Sequence, residues 1–288
     1  MAKGQDIKRR IKSITSMLQV TKAMEMISSI KMRRSMESAM RSKNYVFESW
    51  RSIIALTMLP ENKDNPLLNE RAEGRILVMV VSSDRGLAGS YNSDVLKKCL
   101  VIIEEYGLEN IDFISFGKKA RDFLHRIGAT IVADFPLGQQ IRFTMISPAA
   151  LIAWEGFNDL KYRKFISIHT HFESVVRKAA TTLQILPIDP VKMAQEGEPV
   201  KDANEYLFEP NENDVVNTVL RQIVRALTYQ VILESEAAEH SARMIAMKNA
   251  SDAAKDLKED FQFTYNQLRQ QAITQELAEI SAGSNALN

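Results

Sequence analysis

The chain has 288 residues, 45% of them hydrophobic and 25% charged, which is ordinary globular composition and enough for about two domains. Lys+Arg is 37 against 36 for Asp+Glu, so the net charge of +1 argues against a protein built to coat nucleic acid. A single cysteine, Cys99, excludes an internal disulfide, and no apolar run reaches the roughly 18–20 residues of a membrane span.

The start, MAKGQDIKRR, lacks the apolar stretch of a signal peptide. The expectation is a soluble protein on the cytosolic side of a membrane. Helix breakers are unevenly placed. All eight prolines lie between Pro60 and Pro210, and residues 211–282 contain neither Gly nor Pro. Both ends therefore read as long uninterrupted helices.

The first helix is expected from Asp6 to about Met58, a rod of roughly 80 Å. Ile7, Ile11, Ile14 and Leu18 are spaced as a coiled-coil seam. Met24, Ile27 and Ile30 are expected to continue that stripe, slightly displaced around the helix. Residues 1–51 hold 12 Lys/Arg against 4 Asp/Glu, a basic arm hidden by the balanced total. Residues 60–74 form a polar, Pro-containing linker.

The period then changes. Arg75–Ser82 reads as a buried strand, Tyr91–Tyr106 as a helix, Ile111–Phe116 as a strand and Lys118–Ile127 as a short helix. Ala129–Ala133 is a short strand and Ile146–Leu160 a helix. Phe165–Phe172 and Thr181–Ile188 are two more strands, a hairpin or neighbours. This alternation predicts a mostly parallel sheet with helices on its faces. Residues 189–214 are an acidic surface loop.

A last helix is expected from about Glu212 to Ala282, roughly 105 Å. Leu220, Ile223, Leu227 and Val231 mark one face. The seam is then read through Ala238, Ala242, Ile245, Asn249, Ala253, Leu257, Phe261, Thr264 and Leu268. Small residues there would let two helices approach closely. The simplest partner for this stripe is the first helix, antiparallel to it, with the longer last helix forming a single tip. The fold class is thus α/β. Its domains are an N-terminal coiled-coil helix (1–59), a Rossmann-like α/β domain (75–190) and a C-terminal coiled-coil helix (212–288).

Chemistry is sparse. The loop Ser83–Gly89 follows a strand and precedes a helix, where phosphates bind in doubly wound sheets. It lacks the Lys-Ser/Thr ending of a P-loop and a full G-x-G-x-x-G, so a structural turn is the stronger reading. His169 and His171 share a strand face, with no third metal ligand spaced nearby. No nucleophile is placed beside a base, so no catalytic residue, metal site or cofactor site is assigned. The basic helix alone could meet nucleic acid, an anionic membrane or an acidic protein.

Three stretches carry more information. IKRRIKSITSMLQVTKAMEMISSIKMRR (7–34), SDRGLAGSYN (83–92), and ESEAAEHSARMIAMKNASDAAKDL with YNQLRQQAITQELAEI (234–280) closely resemble the gamma subunits of F-type ATP synthases. The resemblance spans the chain in order and layout, and is weakest from about 138 to 202. It implies a central rotor shaft turned by a proton-driven c ring, with alpha and beta subunits around the helices and epsilon alongside. Nucleotide would bind alpha and beta, not this chain. The place implied is the cytoplasmic face of the inner membrane, as a peripheral subunit, with no nucleic-acid partner.

By position, Arg269 and Gln270 match the family's catch for beta-subunit loops. Lys22 and Met24 match the segment near the bearing and beta lever, with Arg9 and Arg10 in the same motif, and Arg243 and Met244 match the opposing helix. Tyr206 and Glu209 match the foot that meets the c ring and epsilon. Ala88 stands where a Cys is frequent, and Phe261-Gln262-Phe263 replaces a Leu-rich segment. A shaft in a bearing is expected to expose few large hydrophobes. The alternative is a coiled-coil scaffold or nucleic-acid-binding arm on a Rossmann-like core.

Overall fold

A computed structural model of the chain describes residues 2–57, 66–138, 141–188, 209 and 211–286. Its elements in order are α1 (Ala2–Thr57), β1 (Arg75–Val81), α2 (Tyr91–Tyr106), β2 (Ile111–Phe116), α3 (Lys118–Arg126) and β3 (Thr130–Phe135). Then follow α4 (Phe143–Asn158), β4 (Tyr162–Phe172), β5 (Lys178–Leu186) and α5 (Glu212–Ala286). The chain divides into two compact units. One pairs α1 up to Ser29 with α5 from Arg243, and the other runs from Ile30 to Ala242.

The larger unit is an α/β fold around a five-stranded sheet of order β3-β2-β1-β4-β5. β1 is parallel to β2 and β4, β2 is parallel to β3, and β4 and β5 are antiparallel. The strand–helix alternation predicted this architecture. β1 is buried at all but its first residue, because its side chains alternate between two covered faces. Ile76, Val78 and Val80 pack with Val95 and Cys99 of α2 and Leu124 of α3. Leu77, Met79 and Val81 pack with Ala150 and Phe157 of α4, Leu220 and Val224 of α5, and Val46 of α1. Each large side chain buried this way contributes on the order of 2 kcal/mol.

Polar groups at both ends of β1 are paired. Asp112 receives Arg75 Nη2 at 2.7 Å, Tyr162 Oη at 3.0 Å and Lys161 Nζ at 3.4 Å. Two cations and a hydroxyl thus compensate one nearly buried carboxylate, and they tie β1, β2 and β4 together. At the other end of β1, Ser82 Oγ accepts the Ala120 N–H at 2.7 Å and donates to the Phe116 carbonyl at 3.1 Å. Gly117 sits at φ +87°, where a Cβ would lie 2.5 Å from the Ser82 carbonyl oxygen. Only glycine fits there.

The smaller unit is an antiparallel helix pair. Ser251 Oγ donates to Thr21 Oγ1 at 2.8 Å, and the Arg10 guanidinium lies 5.8 Å from the Phe261 ring centre. Moving up α1 therefore moves down α5. Ile7, Ile11, Ile14 and Leu18 face the partner helix, as their spacing predicts. Beyond Leu18 the reading needs correction. Ile27 and Ile30 are 55% and 54% exposed, while Thr21 and Ser28 are buried in their place. On α5 the seam runs through Met247, Ser251, Ala254, Phe261, Tyr265 and Leu268, whereas Asn249, Ala253, Leu257 and Thr264 face outward. The packed face keeps a 3.5-residue period and takes small residues where the helices are close. Hydrophobicity alone ranks Ile27 above Ser28 and so shifts the stripe.

Candidate interaction surfaces on the terminal helices

The predicted contact residues fall into two groups along the helix pair. With Thr21 level with Ser251 and Arg10 with Phe261, residues whose numbers sum to about 271 face each other. Lys22 and Met24 then lie within about two turns of the level of Arg243 and Met244. Arg9 and Arg10 lie about 20 Å along the axis from them, toward Arg269 and Gln270.

Lys22 is exposed and pairs with Glu25 at 2.9 Å, one turn along the same helix. Arg9 and Arg10 are exposed, and Met24 and Met244 are half-buried. Arg243 is buried, unlike an open contact residue. Arg269 and Gln270 are exposed, and Gln270 lines a shallow groove with Gln267, Gln271 and Thr274. Glu209 is exposed, and Tyr206 lies outside the described residues.

From Arg269 to Ala282 every α5 residue is exposed. The register explains this, since α1 begins at about the level of Arg269. The tip of α5 is therefore a lone helix about 25 Å long. It presents Ile273, Leu277 and Ile280 at spacings of 4 and 3, all exposed.

These three, with Met17, Val20, Met26, Ile27, Leu257 and Phe263, correct the expectation of few exposed hydrophobes. Val20 and Ile27 are seven residues apart on the outer face of α1, a second heptad spacing beside the buried one. That spacing was the available signal in the sequence. Apolar contact surface is what a face covered by other chains requires.

The Ser83–Gly89 loop is held by its own polar groups. Asn92 Oδ1 accepts the Ser83 N–H at 3.0 Å and the Ser83 hydroxyl at 2.9 Å. Asp84 Oδ1 accepts the Lys118 N–H at 3.0 Å, so a carboxylate of the chain occupies the start of α3, where an anion would sit. Cys99 is buried, and desolvation pushes its thiol up to about 12. His169 is also buried, which lowers its pKa to about 4, while His171 at the strand end is exposed. Among the described residues no three His, Cys, Asp or Glu converge as metal ligands.

Comparison with known proteins places the chain in a family. A family profile described as ATP synthase matches residues 3–287. The ATP synthase gamma chain of Chlorobium phaeobacteroides is 35% identical over 294 aligned positions, covering 100% of this chain and 99% of the relative. That of Staphylococcus haemolyticus is 36% identical, covering 100% of both. Among solved structures, the fold is similar to a chain of the Tetrahymena thermophila mitochondrial ATP synthase central stalk and c-ring, with TM-score 0.63 and 21% identity over 81% of this chain and 99% of that one. A chain of the Euglena gracilis mitochondrial ATP synthase gives TM-score 0.66 and 17% identity over 99% of this chain and 95% of that one. Matched from end to end by gamma chains at more than a third identity, the chain belongs to the ATP synthase gamma chain family.

Proposed function

We propose that this chain is the central-stalk rotor of a proton-translocating ATP synthase, and that it performs no catalysis itself. The antiparallel pair turns inside a ring of alpha and beta subunits. Proton flow through a c ring drives the rotation, and epsilon binds beside the α/β unit. The observation that carries this reading is the lone tip of α5, a bare helix with apolar and polar faces.

Rotation then becomes conformational work by shape. An asymmetric helix pair presents a different face to each beta subunit in turn. Arg269 and Gln270 engage beta loops at the catch. Lys22, Met24, Arg9 and Arg10, with Arg243 and Met244 behind them, form the bearing and lever region. Exposed charge pairs of this kind are worth about 1 kcal/mol or less each, so they exchange at every step. The apolar residues of the tip supply contact without a fixed partner geometry. Tyr206 and Glu209 form the foot on the c ring and epsilon. The complex sits with this chain on the cytoplasmic face of the membrane.

A photo-crosslinking amino acid at Gln270 tests the reading in the assembled enzyme. Irradiation is expected to join the chain to a beta subunit and to stop ATP turnover. Efficient crosslinking to beta with turnover unchanged would overturn it.

A further inference from the structure

α4 ends in a strained turn. The Asp159 N–H donates to the Glu155 carbonyl at 2.8 Å, and the Leu160 N–H donates to the Phe157 carbonyl at 3.3 Å. Leu160 then takes φ +59°, the left-handed position just past a helix end that glycine usually fills. Among the described residues, Leu87 and Leu160 are the two non-glycine residues with positive φ. A Cβ at such a position crowds the following carbonyl, so leucine is strained there.

The fold makes no use of this side chain, which is 68% exposed. Its neighbours anchor the turn instead. Phe157 is buried in the core, and the Arg75 N–H donates to the Lys161 carbonyl at 2.9 Å. Lys161 Nζ lies 3.4 Å from Asp112 and 4.8 Å from the Tyr162 ring centre. Asn158, Asp159 and Lys161 form an exposed polar rim around the leucine. A strained backbone and an uncovered apolar side chain thus coincide at one residue, and glycine would remove both. Stability gives no reason for leucine here, whereas contact with another molecule does. A lone apolar tip in a polar rim has the anatomy of an interface anchor.

The place of Leu160 in the fold selects its partner. Ala88, after β1, and Phe172, at the end of β4, pack with Ala238 and Ala242 of α5. The Ala242 end of α5 in this unit therefore lies beside the C-terminal ends of the strands. Leu160 stands just before β4, a strand of 11 residues and about 35 Å, at the opposite end.

We propose that Leu160 is an anchor that seats in an apolar recess of the c ring. The proposal rests on the rotor function, in which the alpha/beta ring lies beyond Ala242 and the c ring beyond the other end of the α/β unit. Epsilon, beside the unit, is the competing occupant. The left-handed turn keeps the side chain clear of α4, so the anchor is presented before the partner arrives and little freedom is lost on contact.

Leu160→Gly separates this role from a structural one. In the purified chain, relieved strain and added chain freedom oppose each other, so the thermal midpoint should stay within about 2 °C or rise. In the assembled enzyme on its membranes, the same change should speed release of the chain and its alpha/beta ring in low-salt washing by about tenfold, the effect of losing one buried anchor. A photo-crosslinking amino acid at position 160 is expected to join the chain to a c subunit. A crosslink to epsilon or to lipid, or none, would overturn the proposal. So would wild-type retention by Leu160→Gly, or a fall of more than about 5 °C in its thermal midpoint. The Gln270 crosslink to beta, sought on the same membranes, separates this contact from the rotor function. If it forms while the c-subunit crosslink does not, the rotor stands and the Leu160 contact fails.

Discussion

Thr21 and Ser251, 230 positions apart in sequence, meet as a buried hydroxyl pair at 2.8 Å. Thr21 also donates to the Leu18 carbonyl of its own helix at 3.1 Å, so each hydroxyl hydrogen has an acceptor. The pair links α1 to α5 at one register and no other. A slip of one residue would bury both groups unpaired, at about 1–3 kcal/mol.

A double-mutant cycle measures this coupling. Thr21→Val should destabilise the chain by about 1–2 kcal/mol, because Ser251 loses its acceptor. The double variant with Ser251→Ala should cost less than the sum of the two singles. Urea unfolding followed by helical circular dichroism gives the four values.

The inverted seam makes a second contrast. Ser28→Leu inserts bulk where the helices are close and should cost about 1–3 kcal/mol. Ile27→Ser, on the exposed face, should change stability by no more than about 0.5 kcal/mol in the isolated chain. The reverse order of the two midpoints would place the seam on the other stripe.

Two glycines of the α/β unit separate backbone strain from clash. Gly128 has φ +70° and open space around a built Cβ, so Gly128→Ala should cost about 1 kcal/mol. Gly117→Ala adds the contact with the Ser82 carbonyl and should cost about 3 kcal/mol or more. Thermal unfolding of the purified variants ranks them.

His169 makes stability pH-dependent. Burial lowers its pKa from 6.5 to about 4, so the unfolded chain takes up its proton first. Its contribution is complete above about pH 6.5 and is lost as pH falls toward 4, by about 3 kcal/mol in total. His169→Asn should flatten the unfolding free energy across that range. An unchanged slope would mean that other groups carry it.

Much of this fold is legible in the sequence, because β1 and its neighbours are buried on both faces and read as apolar runs between turns. The long helices are legible from the confinement of proline to residues 60–210. The phase of their contact is not. Ser28 and Thr21 are buried for their size and hydroxyl geometry, and no hydropathy scale ranks them above Ile27. The contact of His171 Nδ1 with Glu234 Oε2, at 2.8 Å, is hidden for a different reason. His171 and Glu234 are 63 residues apart, and their meeting depends on where α5 crosses the sheet. The proposed contact residues stand out only through the motifs around them, since Arg269 and Gln270 lie on a helix face that is exposed throughout.

Rotation itself is the most direct test. Ser93 is exposed on α2, and the native Cys99 is buried with its thiol held protonated, so a Ser93→Cys variant takes a probe selectively. A bead on that residue, with the alpha/beta ring fixed to a surface and ATP supplied, should turn in one direction over many revolutions. A probe that stays at one angle while the same molecules hydrolyse ATP would contradict the account.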